Sequence, residues 1–387
     1  MAYREDSSLP EGFLEQICEQ GLDGIGDAIR VVVNAAMQAE RERHMNAGLY
    51  ERHAGRVGHA NGYKPKTVQT RVGEVTFAIP QVREGGFYPQ ALEKGLRSER
   101  ALKLALAEMY VQGVSTRKVA RITEELCGVE VTSTQVSRAA AELDSTLSAW
   151  RSRPLGTCVY LFLDARYEKV RRNGSVQDAA VLVAVGVDVE GHRQVLGVSV
   201  SLSEHEVHWR DFLLSLAERG LCGVQLVISD DHAGLKVART AVLGGLPWQR
   251  CQFHLQKNAQ AYVPKQEMKT EVASDIRLVF NAGNRQEADL RLKTTVAKYQ
   301  KAAPKLAAWL EENLPEGLTV FDFPEGHRKI LRTTNGLERL NQEIRRRTRV
   351  ARLFPNEESL LRLVSATLME ISDDWETDKR YVNFNSH

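Results

Sequence analysis

The hydrophobic positions of this chain change their spacing along its length, and each spacing predicts a different kind of element. Residues 10–47 carry apolar side chains at intervals that place them on one face of a helix. Those positions are Ile17, Ile25, Ile29, Val32, Val33 and Ala36. Helical spacing returns over residues 265–314 and again from about Glu357 to Ser372. The beginning and the last third of the chain are therefore predicted to be helical.

Between these helical regions, short apolar runs alternate with helix-like segments. Strands are predicted at residues 158–164, 178–189, 193–202, 224–230 and 248–251, with helices at about 205–219 and from Ala233. The first and fourth runs are uninterrupted, which indicates strands that are buried on both faces. The second and third are predicted to form a hairpin around Glu190-Gly191-His192. This order of elements is typical of a mixed α/β sheet covered by helices.

Residues 51–90 have no helical period. They are rich in glycine and basic residues up to Lys66, and a short strand is predicted at 74–80. We interpret the first part of this segment as a basic loop. Such a loop can follow a DNA backbone, and a solvated linker has the same composition, so both interpretations stand.

Three short helices are predicted over residues 98–144. Gly113 stops the first helix, Ser115 caps the second, and Thr132 or Ser133 caps the third. The third helix begins with short polar and basic side chains, which suit base edges and phosphates. These side chains are Ser133, Gln135 and Arg138. The segment is a candidate helix-turn-helix, although three short helices also occur in proteins that bind no DNA.

Composition limits the class of protein. The chain has 387 residues, of which 43% are hydrophobic, so two or three domains with real cores are expected. Its formal net charge is only +2, so a nucleic-acid partner must be sought in local charge. Five scattered cysteines, none in a C-x-x-C pair, argue against a disulfide framework. Neither a signal peptide nor an apolar run of about 20 residues is present, so we expect a soluble intracellular protein without membrane contact.

Three acidic residues suggest the chemistry. Asp164 and Asp230 each close an apolar run predicted to be a strand, and Glu338 lies in the first turn of an arginine-rich helix. Two carboxylates at strand ends and one on a helix can hold divalent cations against a phosphodiester. Each acid also has an ordinary explanation. An aspartate at a strand end is often only a turn former, and Asp231 could be the ligand in place of Asp230. Glu338 could be an ordinary acid favoured by the helix dipole at a helix N-terminus. We prefer Asp230 to Asp231 because it is nearest to the strand end.

The helix that carries Glu338 has two distinct faces. Leu337, Leu340 and Ile344 recur at helical spacing and predict a buried stripe. Glu338, Asn341 and Arg345 repeat this spacing on the neighbouring face, so an acid, an amide and a cation are expected on the same side. Six arginines lie between residues 339 and 352. Solvated faces usually mix Glu with Lys, so this arginine run favours phosphate contact.

Cys251 and His254 have the C-x-x-H spacing of half a zinc site. No second matching pair exists in the sequence. We therefore expect a structural role for the pair, at a turn between a strand and a helix, in preference to zinc binding. The glycine-rich phosphate loops of nucleotide-binding proteins are absent, and we find no Ser-His-Asp triad.

Several segments together resemble the IS256-type insertion-sequence transposases, which belong with the Mutator-like transposases. The four main signatures are Asp164–Arg171, Ser229–Leu235, Gln249–His254 and Thr334–Arg347. Shorter matches are Asn61-Gly62-Tyr63, Gly113–Arg117 and Phe354–Glu357. The similarity covers nearly the whole chain, in the same order and spacing. One departure is Gln81, where the family more usually has arginine.

The resemblance implies an α/β fold with an RNase H-like catalytic domain, a mixed β-sheet and a DDE triad of Asp164, Asp230 and Glu338. It also implies a helical insertion before the last acid, which the separation of 338 − 230 = 108 residues indicates independently. For the first part of the chain we predict an N-terminal helical segment at 1–50, a basic loop with short strands at 51–97, and a helix-turn-helix-like DNA-binding domain at 98–150. For the rest we predict the first part of the catalytic core at 155–262, the insertion at 263–330, and the remainder of the core with C-terminal helices at 331–387.

The expected function is transposition of an insertion sequence in a bacterial, nucleoid-associated setting. The triad would bind Mg²⁺, with Mn²⁺ as a substitute and two ions per site, to cut and join double-stranded DNA at transposon ends and target. The predicted DNA contacts are Arg117, Gln135, Arg138, Arg345, Arg346 and Arg347. Synapsis of two ends predicts a homodimer. The alternatives are a catalytically silent DNA-binding regulator and an RNase H-type nuclease that cuts without joining.

Overall fold

A computed structural model describes residues 21–48, 51, 54–83, 86–377 and 380–384. Its contacts divide the chain into two compact units, Met1–Glu142 and Leu143–His387. The start of the predicted first helix, with Ile17 and Cys18, lies outside the described residues, as do Arg52 and His53 of the predicted basic loop.

The first unit begins with a long helix packed on a β-hairpin. A 3-10 turn, Gly21–Gly24, leads into helix α1 (Ile25–Met45), and strand β1 (Ala60–Thr70) pairs antiparallel with β2 (Gly73–Val82). The helix and the hairpin share a small apolar core with a residue from the following segment. Its members are Met37, Val68, Val75, Phe77, Ile79 and Leu92.

Strand β1 corrects the prediction of a loop over these residues. Most of its side chains are exposed, so neither face carries a hydrophobic period that sequence patterning could detect. Backbone pairing holds it instead, with Lys66 opposite Phe77 on β2. Lys66 Nζ also donates to Tyr88 Oη at 2.9 Å and to the Glu93 carbonyl at 2.9 Å.

Three short helices complete the first unit, as the sequence predicts: α2 (Arg100–Val111), α3 (Thr116–Cys127) and α4 (Ser133–Ala141). The predicted caps are confirmed. Ser115 Oγ accepts the Lys118 backbone N–H at 3.3 Å. Thr132, not Ser133, caps α4 through a reciprocal capping box.

The second unit is built on a mixed five-stranded sheet. Its strands are β3 (Cys158–Arg172), β4 (Ser175–Asp188), β5 (Arg193–Ser201), β6 (Leu226–Ser229) and β7 (Trp248–Arg250). They are arranged in the order β5-β4-β3-β6-β7. The first three pair antiparallel, while β6 and β7 run parallel to β3. The predicted mixed α/β sheet is therefore confirmed.

Helices pack around this sheet. The elements are α5 (Asp144–Ser152), α6 (Glu206–Glu218), α7 (Ala233–Val242), α8 (Gln252–Ala259), α9 (Lys269–Phe280), α10 (Arg285–Tyr299), α11 (Pro304–Asn313), α12 (Glu325–Leu331), α13 (Asn335–Ala351) and α14 (Glu357–Thr377), with 3-10 turns at Gln260–Tyr262, Gln266–Met268, Leu314–Gly317 and Thr319–Asp322. Trp209 on α6 and Leu235 on α7 join a core with Leu161 and Leu163 of β3. Helices α5 and α14 both contact β5. No helix in the described ranges is both long enough and apolar enough to cross a bilayer.

Strand β3 is longer than its apolar run, which corrects the prediction that it ends at Asp164. It continues to Arg172 and returns through Asn173-Gly174 into β4, both turn residues having positive φ. Parallel pairing with β6 stops at Phe162, so the rest of β3 has β4 as its one strand partner among the described strands. That extension is largely polar, and hydrophobicity could not predict it. The Asn-Gly dipeptide, a common hairpin turn, was the signal available.

Candidate active site

A cavity of about 650 Å³ in the second unit brings together residues that are far apart in the sequence. Its walls come from β3, α8 and α13. Its lining includes Asp164, His254, Glu338, Asn341, Arg345 and Arg349. The helix α13 therefore presents its acid, its amide and its cation to one space, while Leu337, Leu340 and Ile344 are buried.

Asp164 faces the cavity because side chains alternate along β3. Leu161 and Leu163 point into the core beneath α6 and α7, so Asp164 lies on the opposite face. Asn341 Nδ2 donates to Asp164 Oδ2 at 2.6 Å. Burial raises the pKa of Asp164 to about 6, and the charge of Asp230 adds to the rise. The Ala165 backbone amide, His254 and Asn341 oppose it.

Asp230 and Asp231 follow β6 and have different surroundings. Asp230 Oδ1 accepts the Asp231 backbone N–H at 2.7 Å, and its Oδ2 lies 3.8 Å from His254 Nδ1. Both oxygens of Asp231 are ion-paired, to Lys236 Nζ at 3.1 Å and to the buried Arg250 Nη1 at 3.0 Å. Arg250 Nη1 also reaches Glu316 at 2.9 Å. Asp231 is thus part of a structural ion-pair network, which favours Asp230 as the free carboxylate.

Cys251, His254 and Thr334 join the two helices that border the cavity. The Cys251 sulfur accepts the Thr334 N–H at 3.4 Å and its hydroxyl at 3.5 Å. Burial acts to raise the pKa of Cys251, but hydrogen bonds from His254 and Thr334 outweigh it and lower that pKa. The Cys251 hydrogen bond raises the pKa of His254 to about 9, with further contributions from Asp230 and Asp164. The C-x-x-H pair therefore places an imidazole with a raised pKa near Asp230 and in the same cavity as Asp164, a role that sequence spacing did not reveal.

Glu338 is held through the backbone of its helix. Its N–H donates to the Thr334 carbonyl at 3.0 Å, and Thr334 is tied to Cys251. Behind Asn341, the Arg166 guanidinium donates to the Asn341 carbonyl and pairs with Glu168 at 2.6 Å. These contacts fix β3 against α13. Sequence reasoning missed the contribution of Arg166.

The arginines of α13 have separate environments. Arg345 is exposed and lines the cavity, whereas the exposed Arg346 pairs with Glu343 at 2.7 Å. Arg347 is buried and pairs with Glu343 at 2.9 Å and with Glu370 at 2.8 Å. The DNA contact predicted at Arg347 stays a prediction, and in the structure its guanidinium is paired with protein carboxylates. Arg346 and Arg347 thus pair with carboxylates of the protein, and the sequence did not reveal that Arg347 is buried.

The predicted DNA contacts of the first unit also differ in exposure. Arg117 on α3 and Arg138 on α4 are exposed. The Gln135 side chain is used by the fold: its Oε1 accepts the Thr132 N–H at 2.7 Å, and its Nε2 donates to Gln69 at 3.5 Å. Gln135 is thus engaged in the cap of α4, and its amide is occupied as folded.

The donor set of the cavity suits a hard cation. Within the described part of the chain, no three His, Cys, Asp or Glu side chains stand close enough together to hold a metal ion by themselves. Mg²⁺ does not require such a cage, since proteins usually bind it through one or two carboxylates while phosphate oxygens and water complete the shell. Asp164 and Asp230 provide two such carboxylates near each other, and Glu338 lines the cavity with Asp164. The residues therefore fit a magnesium site that is completed by substrate.

Comparison with known proteins assigns the chain to a class. Residues 7–378 match the family model described as "Transposase, Mutator family". The chain belongs to this family, as the signatures predict.

Curated relatives support the assignment. The chain is 57% identical over 387 residues to the transposase for insertion sequence element IS406 of Burkholderia multivorans, covering 100% of both chains. It is 44% identical to the transposase for ISRM5 of Rhizobium meliloti, covering 93% of this chain and 91% of the relative. The transposase for IS256 in transposon Tn4001 of Staphylococcus aureus is 36% identical, with 92% of each chain covered. A chain from a simian T-cell lymphotropic virus intasome structure aligns at 14% identity over 51% of this chain and 67% of that one, with a TM-score of 0.19, too slight a likeness to support an argument.

Proposed function

We propose that this chain is a DDE-type transposase that cuts and joins DNA at the terminal inverted repeats of an insertion sequence. Asp164 and Asp230 would hold Mg²⁺ or Mn²⁺, with two ions per site, and Glu338 would complete the site. Bound metal would supply charge stabilisation and a more acidic water to phosphodiester cleavage. The observation that carries the proposal is the cavity that Asp164 and Glu338 share, with Asp230 beside it across His254.

The protein's own residues account for substrate binding in this proposal. Arg345 and Arg349 line the cavity and would offer exposed cations to a DNA phosphate. Asn341 orients the Asp164 carboxylate. The cationic His254 offsets the repulsion between Asp164 and Asp230 before DNA arrives.

The proposed reaction has two displacements. Water attacks the phosphorus at the end of the element, the bond to the 3′ oxygen breaks, and a free 3′-OH and a 5′-phosphate result. The 3′-OH then attacks a target phosphorus and releases a target 3′-OH, so the number of phosphodiester bonds is conserved in the second step. Both steps need an in-line approach of oxygen to phosphorus, which favours an open cavity over a closed pocket.

The wider architecture supports the proposal. The strand order, with three antiparallel strands followed by two parallel ones, is compatible with an RNase H-like core. Helices α9–α12 would form the insertion between β7 and the helix of Glu338. In the first unit, α2–α4 would act as the helix-turn-helix, with Arg117 and Arg138 on DNA. A homodimer at the nucleoid would hold two ends together.

The test is a nicking and strand-transfer assay with an end-containing duplex and Mg²⁺ or Mn²⁺. Asp164→Asn, Asp230→Asn and Glu338→Gln are each expected to abolish cleavage, because each removes a negative oxygen ligand, while DNA binding is retained. Arg277→Ala, at an exposed cation on α9, is the matched folding control.

Each departure from that result has a clear meaning. Full cleavage by any of the three acid variants would remove that residue from the site. An original chain that binds ends tightly but never nicks them would be a regulator. Hydrolysis without a strand-transfer product would indicate a nuclease.

A further inference from the structure

A second cavity in the Leu143–His387 unit has a distinct, cationic lining. Its volume is about 310 Å³, and its walls come from the loop after α9, the turn Thr319–Asp322, and α12 with the residues that follow it. Arg328, Lys329 and Arg332 line it, and Glu325 is the one carboxylate in the lining. Over the described ranges, no ion pair neutralises any of the three cations. The cavity therefore carries a net positive charge.

Arg328 is fixed in this cavity by neutral acceptors. Its Nε donates to the Phe323 carbonyl at 3.0 Å, its Nη1 to the Gly283 carbonyl at 2.9 Å, and its Nη2 to the Phe321 carbonyl at 3.3 Å. These bonds hold the guanidinium rigidly and leave its full charge in place. A rigid cation costs little entropy when an anion binds.

Arg332 has similar surroundings. Its Nε donates to Gln252 Oε1 at 2.8 Å, and its Nη2 donates to the Phe280 carbonyl at 2.7 Å and to Asn281 Oδ1 at 2.6 Å. Burial lowers its pKa, so the charged form is held at a cost. Among the described residues its Nη1 has no hydrogen-bond partner, and neither has the exposed Lys329 ammonium. The cavity thus offers free donors beside fixed charge.

The cavity adjoins the active site through bonded neighbours. The Arg332 carbonyl accepts the Gln252 N–H at 2.9 Å, and Gln252 directly follows Cys251. His254, two residues further along α8, lines the active-site cavity. Arg332 also lies six residues before Glu338 in the chain. The two cavities are therefore linked by one backbone hydrogen bond and a short stretch of helix α8.

We propose that Arg328, Lys329 and Arg332 form a binding site for a backbone phosphate of the DNA, next to the phosphodiester that is cleaved. This inference rests on the proposed function. Guanidinium groups match the geometry of phosphate oxygens, and a free lysine adds a point charge. The lining also contains apolar side chains and the Asn281 amide, but its three cations favour a phosphodiester, whose backbone phosphate is bound without contact to base edges. Because it contacts only phosphate, this site would bind DNA of any base sequence equally.

The experiment measures the affinity of the full chain for an end-containing duplex at several salt concentrations. Each phosphate contact contributes about 0.9 to the slope of log K against log salt. Lys329→Ala is expected to lower that slope by about 0.9 and to weaken binding several-fold at low salt, equally for end and unrelated sequences. Lys329→Glu is expected to weaken it further. Lys293→Ala, at an exposed lysine of α10 with no ion pair among the described residues, is the matched control and should leave the slope unchanged.

Two results would overturn this site. One is a slope for Lys329→Ala equal to that of Lys293→Ala, with thermal unfolding unchanged in both. The other is an unchanged DNA slope together with a thermal midpoint that inorganic phosphate raises in the original chain but not in Lys329→Ala, which would assign the cavity to a free phosphate. Nicking by the original chain is measured in the same preparation. If it fails, the proposed function fails, whereas an unchanged slope in an active enzyme rejects the phosphate site alone.

Discussion

Asp230 and Asp231 are adjacent acids at one strand end, and their partners separate them. The two carboxylate oxygens of Asp231 form ion pairs with Lys236 and with the buried Arg250, so Asp231 stabilises the fold. The Asp230 carboxylate accepts one hydrogen bond, from the Asp231 backbone amide, and lies further from the His254 imidazole. From the sequence, the two acids could be ranked only by their distance from the strand end. The ion pair of Asp231 with Arg250, 19 residues further along the chain, could not be predicted.

Asp231→Asn is expected to destabilise the second unit by roughly 2 kcal/mol, since it weakens charged hydrogen bonds to a buried guanidinium. Glu316 still pairs with Arg250, which limits the loss. Cleavage per folded molecule should remain, in contrast to Asp230→Asn, which should fold normally and not cleave. Urea unfolding and the nicking assay together check this. The reverse pattern would exchange the roles of the two acids.

Asn341 is the second residue whose position makes a prediction. It holds the Asp164 carboxylate, and loss of such an outer partner typically costs about 10–100-fold in metal affinity or activity. Asn341→Ala should therefore raise the Mn²⁺ concentration needed for half-maximal nicking. Gln342→Ala, at an exposed neighbour that lines the same cavity, is the control. Equal metal dependence in the two variants would leave Asn341 without a positioning role.

At the scale of elements, α13 combines a face that lines the cavity with an ion-pair cluster. Glu343 Oε1 accepts from Arg346 and from the buried Arg347, and these contacts lower the pKa of Glu343 to about 2. The first cause is the Arg346 hydrogen bond. A carboxyl with a depressed pKa stabilises the fold above its unfolded pKa, and that contribution disappears as pH falls toward 2.

Glu343→Gln is expected to cost roughly 1 kcal/mol near neutral pH, because part of the cluster is exposed to solvent. The same variant should lose less stability than the original chain between about pH 4.5 and pH 2. Thermal unfolding across this range is the measurement. Glu311→Gln, at an exposed acid on α11 with no ion pair among the described residues, should behave like the original chain. Parallel pH curves for the Glu343 variant and the original chain would contradict the assignment.

Sequence patterning predicted the elements whose burial follows the hydrophobic pattern. The apolar run of β3 and strand β6 were predictable because both of their faces are buried, and the stripe of α13 because one helix face is buried. The caps of α3 and α4 were predictable because one polar side chain closes each helix end. Strand β1 and the outer half of β3 were missed, since backbone pairing holds them while their side chains remain exposed. Within the site, the sequence nominated the acids but could not reveal the bond from Thr334 to Cys251, which joins segments 83 residues apart.

At the scale of the whole molecule, contacts place the division between the units at Glu142 and Leu143, before α5. The sequence predicts the boundary later, between residues 150 and 155. Helix α5 is bound to α14: Arg362 donates to both oxygens of Asp144 at 2.7 Å, and Arg151 Nη1 donates to Ser365 Oγ at 2.9 Å. Leu147 is 1% exposed. We infer that α5 folds with the second unit.

A fragment of residues 143–387 is therefore expected to fold alone and to unfold in one cooperative transition. A fragment of residues 154–387 should be less stable by roughly 3 kcal/mol, because it loses the burial of Leu147 and leaves Arg362 without Asp144. Urea unfolding followed by circular dichroism measures the difference. The point variant Asp144→Asn in the longer fragment separates the ion pair from the apolar contact, and it should account for the smaller part of the loss. Equal stability of the two fragments would place α5 outside the core and restore the later boundary.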